Sequence, residues 1–395
     1  MSKDSKDNGF RPSGITKLAL LMASMMVLMG SAAVSPSLHG IEVNLGASKF
    51  LVSMIISLPS LVVAILGFPM GYVADKVGLA KTLIVSLIVF IVSGVAGFFC
   101  TDIYTLLATR VFLGVGIAGI SIAATGLMGI YYDGEERMRV MAIQSAFMGF
   151  GGVVLEIIGG MMADVAWNVP FLVYLIAVPI LLMCLVAVRD IAFTGYHGPT
   201  QRFADNSKKH MAVMYTGIFV LMFMMFIVTV NISDIMTRIG ESMTVCGIVL
   251  AFMGFTQVIT SMLYSRAKRI PSYPVMLFIA FLLQAIAVVL FSSENLVVLC
   301  TGVGMMGVGL GFGMPTITNN LAMMSPATSQ GKTMGIYSCL MNLGTSLSAV
   351  VMGPLIASMG YGPAFNIAGV ATFVFGLIVL VVGRSLKEVN GPVDI

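Results

Sequence analysis

The stretch Gly71-Tyr72-Val73-Ala74-Asp75-Lys76-Val77-Gly78-Leu79-Ala80-Lys81 separates two long apolar runs, residues 49–72 and 82–100. It packs one acid, two lysines and two glycines into a short span, whereas beyond Lys49 neither flanking run carries a charge. A helix that crosses the bilayer hydrocarbon needs about 20 apolar residues. The stretch is therefore expected to be a tight turn at a membrane surface between two crossing helices. Working outward, the whole chain divides into twelve such runs: 17–38, 49–72, 82–100, 104–129, 139–164, 170–188, 211–234, 242–264, 272–292, 296–321, 332–357 and 362–383. They are continuously apolar and do not alternate, which excludes a β-barrel. The first run holds Ser31-Ala32-Ala33, a signal-cleavage-like sequence, but its apolar core is too long for a signal peptide, so it is expected to be an uncleaved first helix. The predicted fold class is an all-α membrane protein of twelve transmembrane helices in two pseudo-symmetric six-helix bundles.

Composition agrees with this reading. Of 395 residues, 58% are hydrophobic and 10% charged, with a mean hydropathy of +1.02, against roughly 25% charged in soluble domains. Soluble enzymes, nucleic-acid binders and disordered regulators are excluded. The expected partners are the lipid bilayer and a small-molecule substrate, with no nucleic acid, and the chain is expected to work as a monomer. Cys100, Cys184, Cys246, Cys300 and Cys339 stand singly in apolar runs without metal-binding spacing. No nucleophile–base set and no nucleotide-binding loop is visible, so no cofactor and no enzymatic activity is expected, and an ion gradient, of protons, is expected to supply the energy.

Twelve spans place both termini on one side. With that side inside, 18 of the 21 basic residues fall in cytoplasmic segments, as the positive-inside rule requires. The exceptions are Lys49, Arg238 and Arg110, the last within a span. Acids escape the asymmetry: Glu42, Asp102, Asp164, Asp234, Glu241 and Glu294 sit near outer ends. The predicted organisation is a cytoplasmic tail 1–16, a first bundle 17–188, a central cytoplasmic loop 189–210, a second bundle 211–383 and a cytoplasmic tail 384–395, in the plasma membrane.

The two bundles repeat each other. A shift of 193 residues brings Gly114-Val115-Gly116 onto Gly307-Val308-Gly309, and Met141, Ile143, Ser145, Met148 and Gly151 onto Met334, Ile336, Ser338, Met341 and Gly344. Gly160 falls on Gly353 and Pro170 on Pro363. Two similar bundles around a midplane path are a transporter design, because the halves can rock about it.

The 71–81 stretch resembles the signature loop of the major facilitator superfamily: Gly71, the Asp75-Lys76 pair, then Gly78 and Lys81, with Leu79 where a basic residue is common. The degenerate counterpart in the second half is Tyr264-Ser265-Arg266-Ala267-Lys268-Arg269. Gly71 is expected to let a partner helix approach closely. The resemblance implies that Asp75 meets the start of the eleventh helix, near Ser329 and Lys332, when the cytoplasmic side closes, with the positive helix end favouring the anion. Gly71, Asp75, Lys76, Gly78, Lys81 and Lys332 form the expected gating set. Residues 151–171, with Gly151-Gly152, Gly159-Gly160 and Trp167-Asn168-Val169-Pro170-Phe171, resemble the helix-5 motif of drug–proton antiporters, except that Leu155-Glu156 stands where Gly-Pro is usual.

Two charges lie inside spans, Arg110 and Glu156, where each costs at least ~2.5–3.5 kcal/mol. Arg110 with Gly114 and Gly116 resembles a helix-4 motif linked to proton coupling. At 1.5 Å rise per residue both charges lie at roughly 10–12 Å from the outer ends of their helices, so a pair or a shared water pocket is expected. Their role is open between proton coupling, a static pair, and direct contact of Glu156 with a cationic substrate. Gln144, Asn231, Gln257, Gln284, Asn319, Asn320 and Asn342 are deep polar residues that either line the path or bond a neighbouring helix; Asn231, Gln257, Asn342 and Asn319 are the path candidates. The expected function is a secondary active transporter that exports amphipathic neutral or cationic small molecules with proton coupling by alternating access. The alternative is an uptake symporter or facilitator for a polar metabolite.

Overall fold

A computed structural model of the chain describes residues 12–132, 134–190, 201–202, 207–267, 272–293, 295–325, 330–385 and 393–394. Thirteen α-helices run in order among them: α1 Gly14–Ala32, α2 Leu38–Leu45, α3 Lys49–Val77, α4 Leu79–Ala96, α5 Ile103–Tyr131, α6 Gly134–Val165, α7 Ala177–Ala187, α8 Ser207–Arg238, α9 Met243–Ala267, α10 Tyr273–Leu290, α11 Leu296–Met324, α12 Gln330–Met359 and α13 Tyr361–Ser385. Eleven helical stretches are long and apolar enough to cross a membrane, and a shorter apolar one, Gly14–Val27, lies within α1. The described strands are two residues each, Gln201–Arg202 paired antiparallel with Val393–Asp394.

Two expected spans differ from continuous helices. The first ends at Ala32 and gives way to a 3-10 turn, Ser35–Ser37, before the short α2. Pro36 has no N–H to donate, and its ring clashes with the carbonyl four residues back. The sixth begins as a 3-10 segment, Val169–Ile176, and becomes α-helical only in α7. Pro170 starts that segment, and Pro179 cannot donate to the carbonyl of Leu175.

The 193-residue shift holds in the structure. It carries the bounds of α5 onto those of α11, and α8 onto the combined extent of α1 and α2. The position equivalent to Pro36 is Thr229, so α8 runs unbroken. Each half has its own core. The first is built from α1–α7 around Phe90, Phe171 and Tyr174, and borrows Phe226 and Val230 from α8. The second is built from α8–α13 around Phe281, Phe291 and Phe365. Large apolar side chains such as Val92, Leu182, Phe255, Met262, Val370 and Val381 are exposed. In a chain this apolar they form the lipid-facing surface, where backbone groups are satisfied inside the helices.

The halves meet along two seams, α6 against α9 and α3 against α12, which the 193-residue shift interconverts. The face of the bundle that carries α2 is called the α2 face, and the opposite one the terminal face. At the α2 face the first seam has backbone-to-backbone contact. A Cβ at Gly160 would overlap the carbonyl of Met243, and one at Gly247 would overlap the carbonyl of Glu156. Glycine permits this approach, as at close helix crossings in membranes. The second seam steps by seven residues. Gly353 faces Phe50, the Ser346 hydroxyl donates to the carbonyl of Ser57 at 3.0 Å, and Cys339 Sγ lies 3.7 Å from the carbonyl of Ala64. Beyond that point, among the described residues, nothing lies within 4 Å of a Cβ built at Gly67, Gly71 or Gly335. Among the described residues the halves are joined at the α2 face, and the α3–α12 seam spreads towards the terminal face.

Replacing Gly247 with Val forces backbone against backbone, an overpacking of about 1–3 kcal/mol. The purified variant is expected to melt several degrees below the parent. Gly335→Ala, made where there is room, is expected to leave the melting temperature unchanged or raise it slightly. Equal effects of the two would contradict the seam.

Candidate functional site

Glu156 lies on the side of α6 that meets α9. Its carbonyl abuts Gly247, and Cys246 is its electrostatic neighbour. The side chain is buried, and among the described residues none hydrogen-bonds to it or pairs with it. Three residues on towards the α2 face, Gly159 is packed against the carbonyl of Ala33 so closely that a Cβ would overlap it. One turn further, Asp164 reaches across to the other half. Its carboxylate accepts from the backbone N–H of Met243 at 2.7 Å and of Thr244 at 2.9 Å, and from the Thr244 hydroxyl. These are the orphan donors at the start of α9, where a helix end favours an anion.

The expected contact between Arg110 and Glu156 is not formed. Arg110 is fully buried inside the first half, between α4, α5 and the Val169–Ile176 segment. It donates to the carbonyls of Ser93 and Gly94 at 3.1 and 3.3 Å, to the Tyr174 hydroxyl at 3.2 Å, and to Thr109. The Phe171 ring covers its guanidinium at 4.9 Å. Tyr174 passes the connection on by donating to the carbonyl of Gly30 at 3.3 Å. Equal depth on consecutive helices misled because α5 packs chiefly on α3 and α4, whereas α6 packs on α1 and α9. Arg110 thereby ties the end of α1, through Tyr174 and Gly30, to α4 and α5.

The gating set lies at the spread terminal face. Gly71 was expected to hold a partner helix and has none within contact among the described residues. Gly78 is a turn glycine: its φ is 104°, and the Asp190 carboxylate fills the place of a Cβ while accepting from Ala80 N–H at 2.7 Å. Lys76 is exposed with its ammonium 4.5 Å over the Tyr72 ring, and Lys81 is exposed. Asp75 and Lys332 belong to α3 and α12, but their side chains fall outside those described, as does Ser329.

Two of the four path candidates are tied to their own helices. Asn231 is buried and donates to the carbonyl of Ile227, and Asn342 donates to that of Ser338. Gln257 contacts Met314 Sδ at 3.4 Å, and Asn319 is exposed. Gln144 joins helices, donating to Ser24 and Thr125.

Sequence reasoning missed the residues that close the α2 face. Asp234 of α8 binds Lys49 Nζ at 2.6 Å and His39 Nδ1 at 3.1 Å from the first half, and Arg238 Nε at 3.6 Å and the Tyr361 hydroxyl from its own half. Lys49 and Arg238 were the two loop cations out of place by the positive-inside count, and that was the available signal. The cavity among His39, Glu42, Lys49, Asn231 and Asp234 has ≈ 20 Å³ of space for water centres, room for about one water. No drug-sized solute passes there in this conformation.

A double-mutant cycle measures whether the two intramembrane charges interact. With Arg110→Gln and Glu156→Gln, the thermal-stability effects are expected to add within about 0.5 kcal/mol, as for independent sites. Arg110→Gln alone should destabilise substantially, by leaving the carbonyls of Ser93 and Gly94 short of donors. A coupling energy above about 1 kcal/mol would contradict the separation.

The chain was compared with known proteins. It is 26% identical over 383 residues to the multidrug efflux protein YfmO of Bacillus subtilis, covering 93% of this chain and 92% of that one. It is 32% identical over 164 residues to the bacillibactin exporter of the same species, covering 39% of this chain and 40% of that one. Among solved structures, a bacterial homolog of the human lysosomal transporter Spinster superposes with a TM-score of 0.76 at 16% identity, covering 94% of this chain and 96% of that one. A POT family transporter in complex with 5-aminolevulinic acid superposes with a TM-score of 0.78 at 14% identity, over 95% and 97%. These two show the shared fold. The family model of the Major Facilitator Superfamily matches residues 20–205 and 214–393; this polypeptide, an integral membrane transporter and not an enzyme, belongs to that superfamily.

Proposed function

We propose that the protein exports amphipathic neutral or cationic small molecules in exchange for protons, by alternating access, as a monomer in the plasma membrane. The terminal face is assigned to the cytoplasm because the loop lysines and arginines concentrate there. The observation that carries the reading is the Glu156 carboxyl, buried in the seam between the halves with no counter-charge among the described residues. Its similarity to the multidrug efflux protein YfmO supports the substrate class.

In the conformation described, the cytoplasmic side is spread and the outer side closed. Substrate enters between the halves from the cytoplasm, past Gln257, Asn342 and Asn319. Opening the outer side separates the α2-face ends of α6 and α9, which breaks the Asp164 cap and parts Gly159 from Ala33, the contact that serves in this reading as the lid over Glu156. External water then reaches the carboxyl, and a proton binds as the substrate leaves. Closing the outer side and reopening the inner one delivers the proton inward. Arg110 acts as a positioning residue, holding through Tyr174 the end of α1 that forms the lid.

The inner gate follows from the register of α3 against α12. Three pairs at a spacing of seven join Phe50 with Gly353, Ser57 with Ser346 and Ala64 with Cys339. The next step pairs Gly71 with Lys332, and Asp75 lies one helical turn beyond. When the inner mouth closes, the start of α12 lands on the side-chain-free surface of Gly71, with the Asp75 carboxylate beside its positive end. Lys76 and Lys81 flank this contact, and Gly78 turns the chain for it.

The test is efflux from proteoliposomes under an imposed pH gradient, with a panel of lipophilic cations and neutral dyes. The parent protein is expected to move at least one dye class against its gradient. Glu156→Gln is expected to lose the gradient-driven component, falling at least tenfold, while retaining dye exchange at equal pH. An unchanged pH dependence in Glu156→Gln would remove Glu156 from coupling. Gradient-independent flux of a polar metabolite, with no dye movement, would replace the exporter reading by a facilitator.

A further inference from the structure

The closed α2 face is held by a polar cluster whose members come from both halves and whose composition includes a histidine. We propose that Asp234 is the positioning residue of the outer gate, and that His39 makes this gate respond to external pH, acid favouring closure. The inference rests on the assignment of the α2 face to the outside.

The geometry carries it. His39 sits on α2 in the first half, where its backbone N–H donates to the Ser233 hydroxyl at 3.3 Å and its Nδ1 faces Asp234 Oδ1 at 3.1 Å. Lys49, at the start of α3, donates to the other oxygen, Oδ2, at 2.6 Å. Tyr361, at the start of α13, donates to the same oxygen and lies under the Lys49 ammonium at 4.2 Å and the Arg238 guanidinium at 4.5 Å. Glu42, one turn from His39 on α2, brings a carboxylate oxygen within 4.8 Å of both His39 and Asp234. One side chain of the second half is thus gripped by two of the first. All these contacts across the seam vanish when the mouth opens.

The sign follows from which charges face the imidazole. The charges grouped with His39 are the carboxylates of Asp234 and Glu42, while Lys49 and Arg238 are directed at Oδ2 on the far side of Asp234. A proton on His39 turns its contact with Asp234 into a charge-assisted hydrogen bond, roughly twice as strong as a neutral one. That contact spans the two halves and exists only across the closed mouth, so acid shifts the population toward closed. His39 is 29% exposed, so it exchanges protons with the outer solution. Histidine is the side chain whose ordinary titration range lies between pH 5 and 8. In an exporter this device gives direction: the external acid that loads Glu156 also favours closing the outer mouth behind the proton.

The experiment reads the gate without transport. Spin labels on Val43→Cys of α2 and Ser358→Cys of α12 straddle the mouth on exposed positions, with Cys339 and Cys300 replaced by alanine. Distances are measured by pulsed dipolar spectroscopy in proteoliposomes at pH 5.5 and pH 8. A Glu156→Gln background removes the contribution of that carboxyl. The long-distance population is expected to be at least threefold larger at pH 8 than at pH 5.5. His39→Gln is expected to bring the ratio to one. Asp234→Asn is expected to enlarge the long-distance population at both pH values, and Lys49→Gln, which leaves Asp234 in place, to do so partly. A pH ratio that persists in His39→Gln, a ratio of one in the parent, or unchanged distances in both Asp234→Asn and Lys49→Gln would overturn the proposal. A failed dye assay with this distance pattern intact would reject the exporter reading and leave the gate standing.

Discussion

Backbone contact between α6 and α9 is the constraint on which the rest of the structure depends. Gly160 and Gly247 bring two helices from opposite halves together at a point where neither has a side chain to interpose. In a lipid solvent there is little hydrophobic gain from joining helices, so close packing and hydrogen bonds must supply the association. The same contact buries Glu156, whose carbonyl is part of it, and places Asp164 over the first N–H groups of α9. A small-residue crossing, a buried carboxyl and an anion on a helix end thus occupy two and a half turns of one helix, and opening the crossing changes all three at once.

The polar contacts of the α2 face are of a kind that forms and breaks readily. Exposed ion pairs are worth about 0–1 kcal/mol each, and an anion at a helix N-terminus about 0.3–1 kcal/mol. A gate assembled from several such terms can hold one conformation as the major state, yet open when a few kcal/mol of binding or protonation free energy is applied. The interior of each half is built differently. Arg110 is satisfied by carbonyls, two hydroxyls and an aromatic face within one bundle, and removing such a group leaves buried acceptors unpaired. Rigid halves and a weak joint between them are what a rocking mechanism requires.

The fold was legible because its determinants are one-dimensional. Apolar run length, the side on which lysines and arginines fall, and a constant repeat offset need no knowledge of which helices touch. The same offset of 193 residues relates the bounds of α5 and α11 in the structure. Its failure at Pro36 is local: the first half breaks where the second has Thr229 and continues. The site was less legible because it depends on neighbours. Arg110 and Glu156 share a depth but face different helices, and the direction a helical side chain points cannot be read from depth alone. Asp234 and Asp164 looked like ordinary acids near the outer ends. Only packing shows that one gathers Lys49 and His39 across the seam, and that the other caps a helix of the opposite half. Lys49 and Arg238 had marked the place as exceptions to the charge asymmetry. Gly71 was expected to be a surface for close approach, and among the described residues no partner lies against it.

The central claim is that the halves swing about these seams and that the α3–α12 register continues when the inner mouth closes. Cysteines placed at Gly71 and Lys332 test it most directly, by oxidative crosslinking in membranes followed by flux measurement. The account predicts that the pair crosslinks efficiently, that transport stops, and that reduction restores it, while Gly71 paired with Ser338 does not crosslink. Failure of the Gly71–Lys332 pair to crosslink, or undiminished flux through the crosslinked protein, would contradict it.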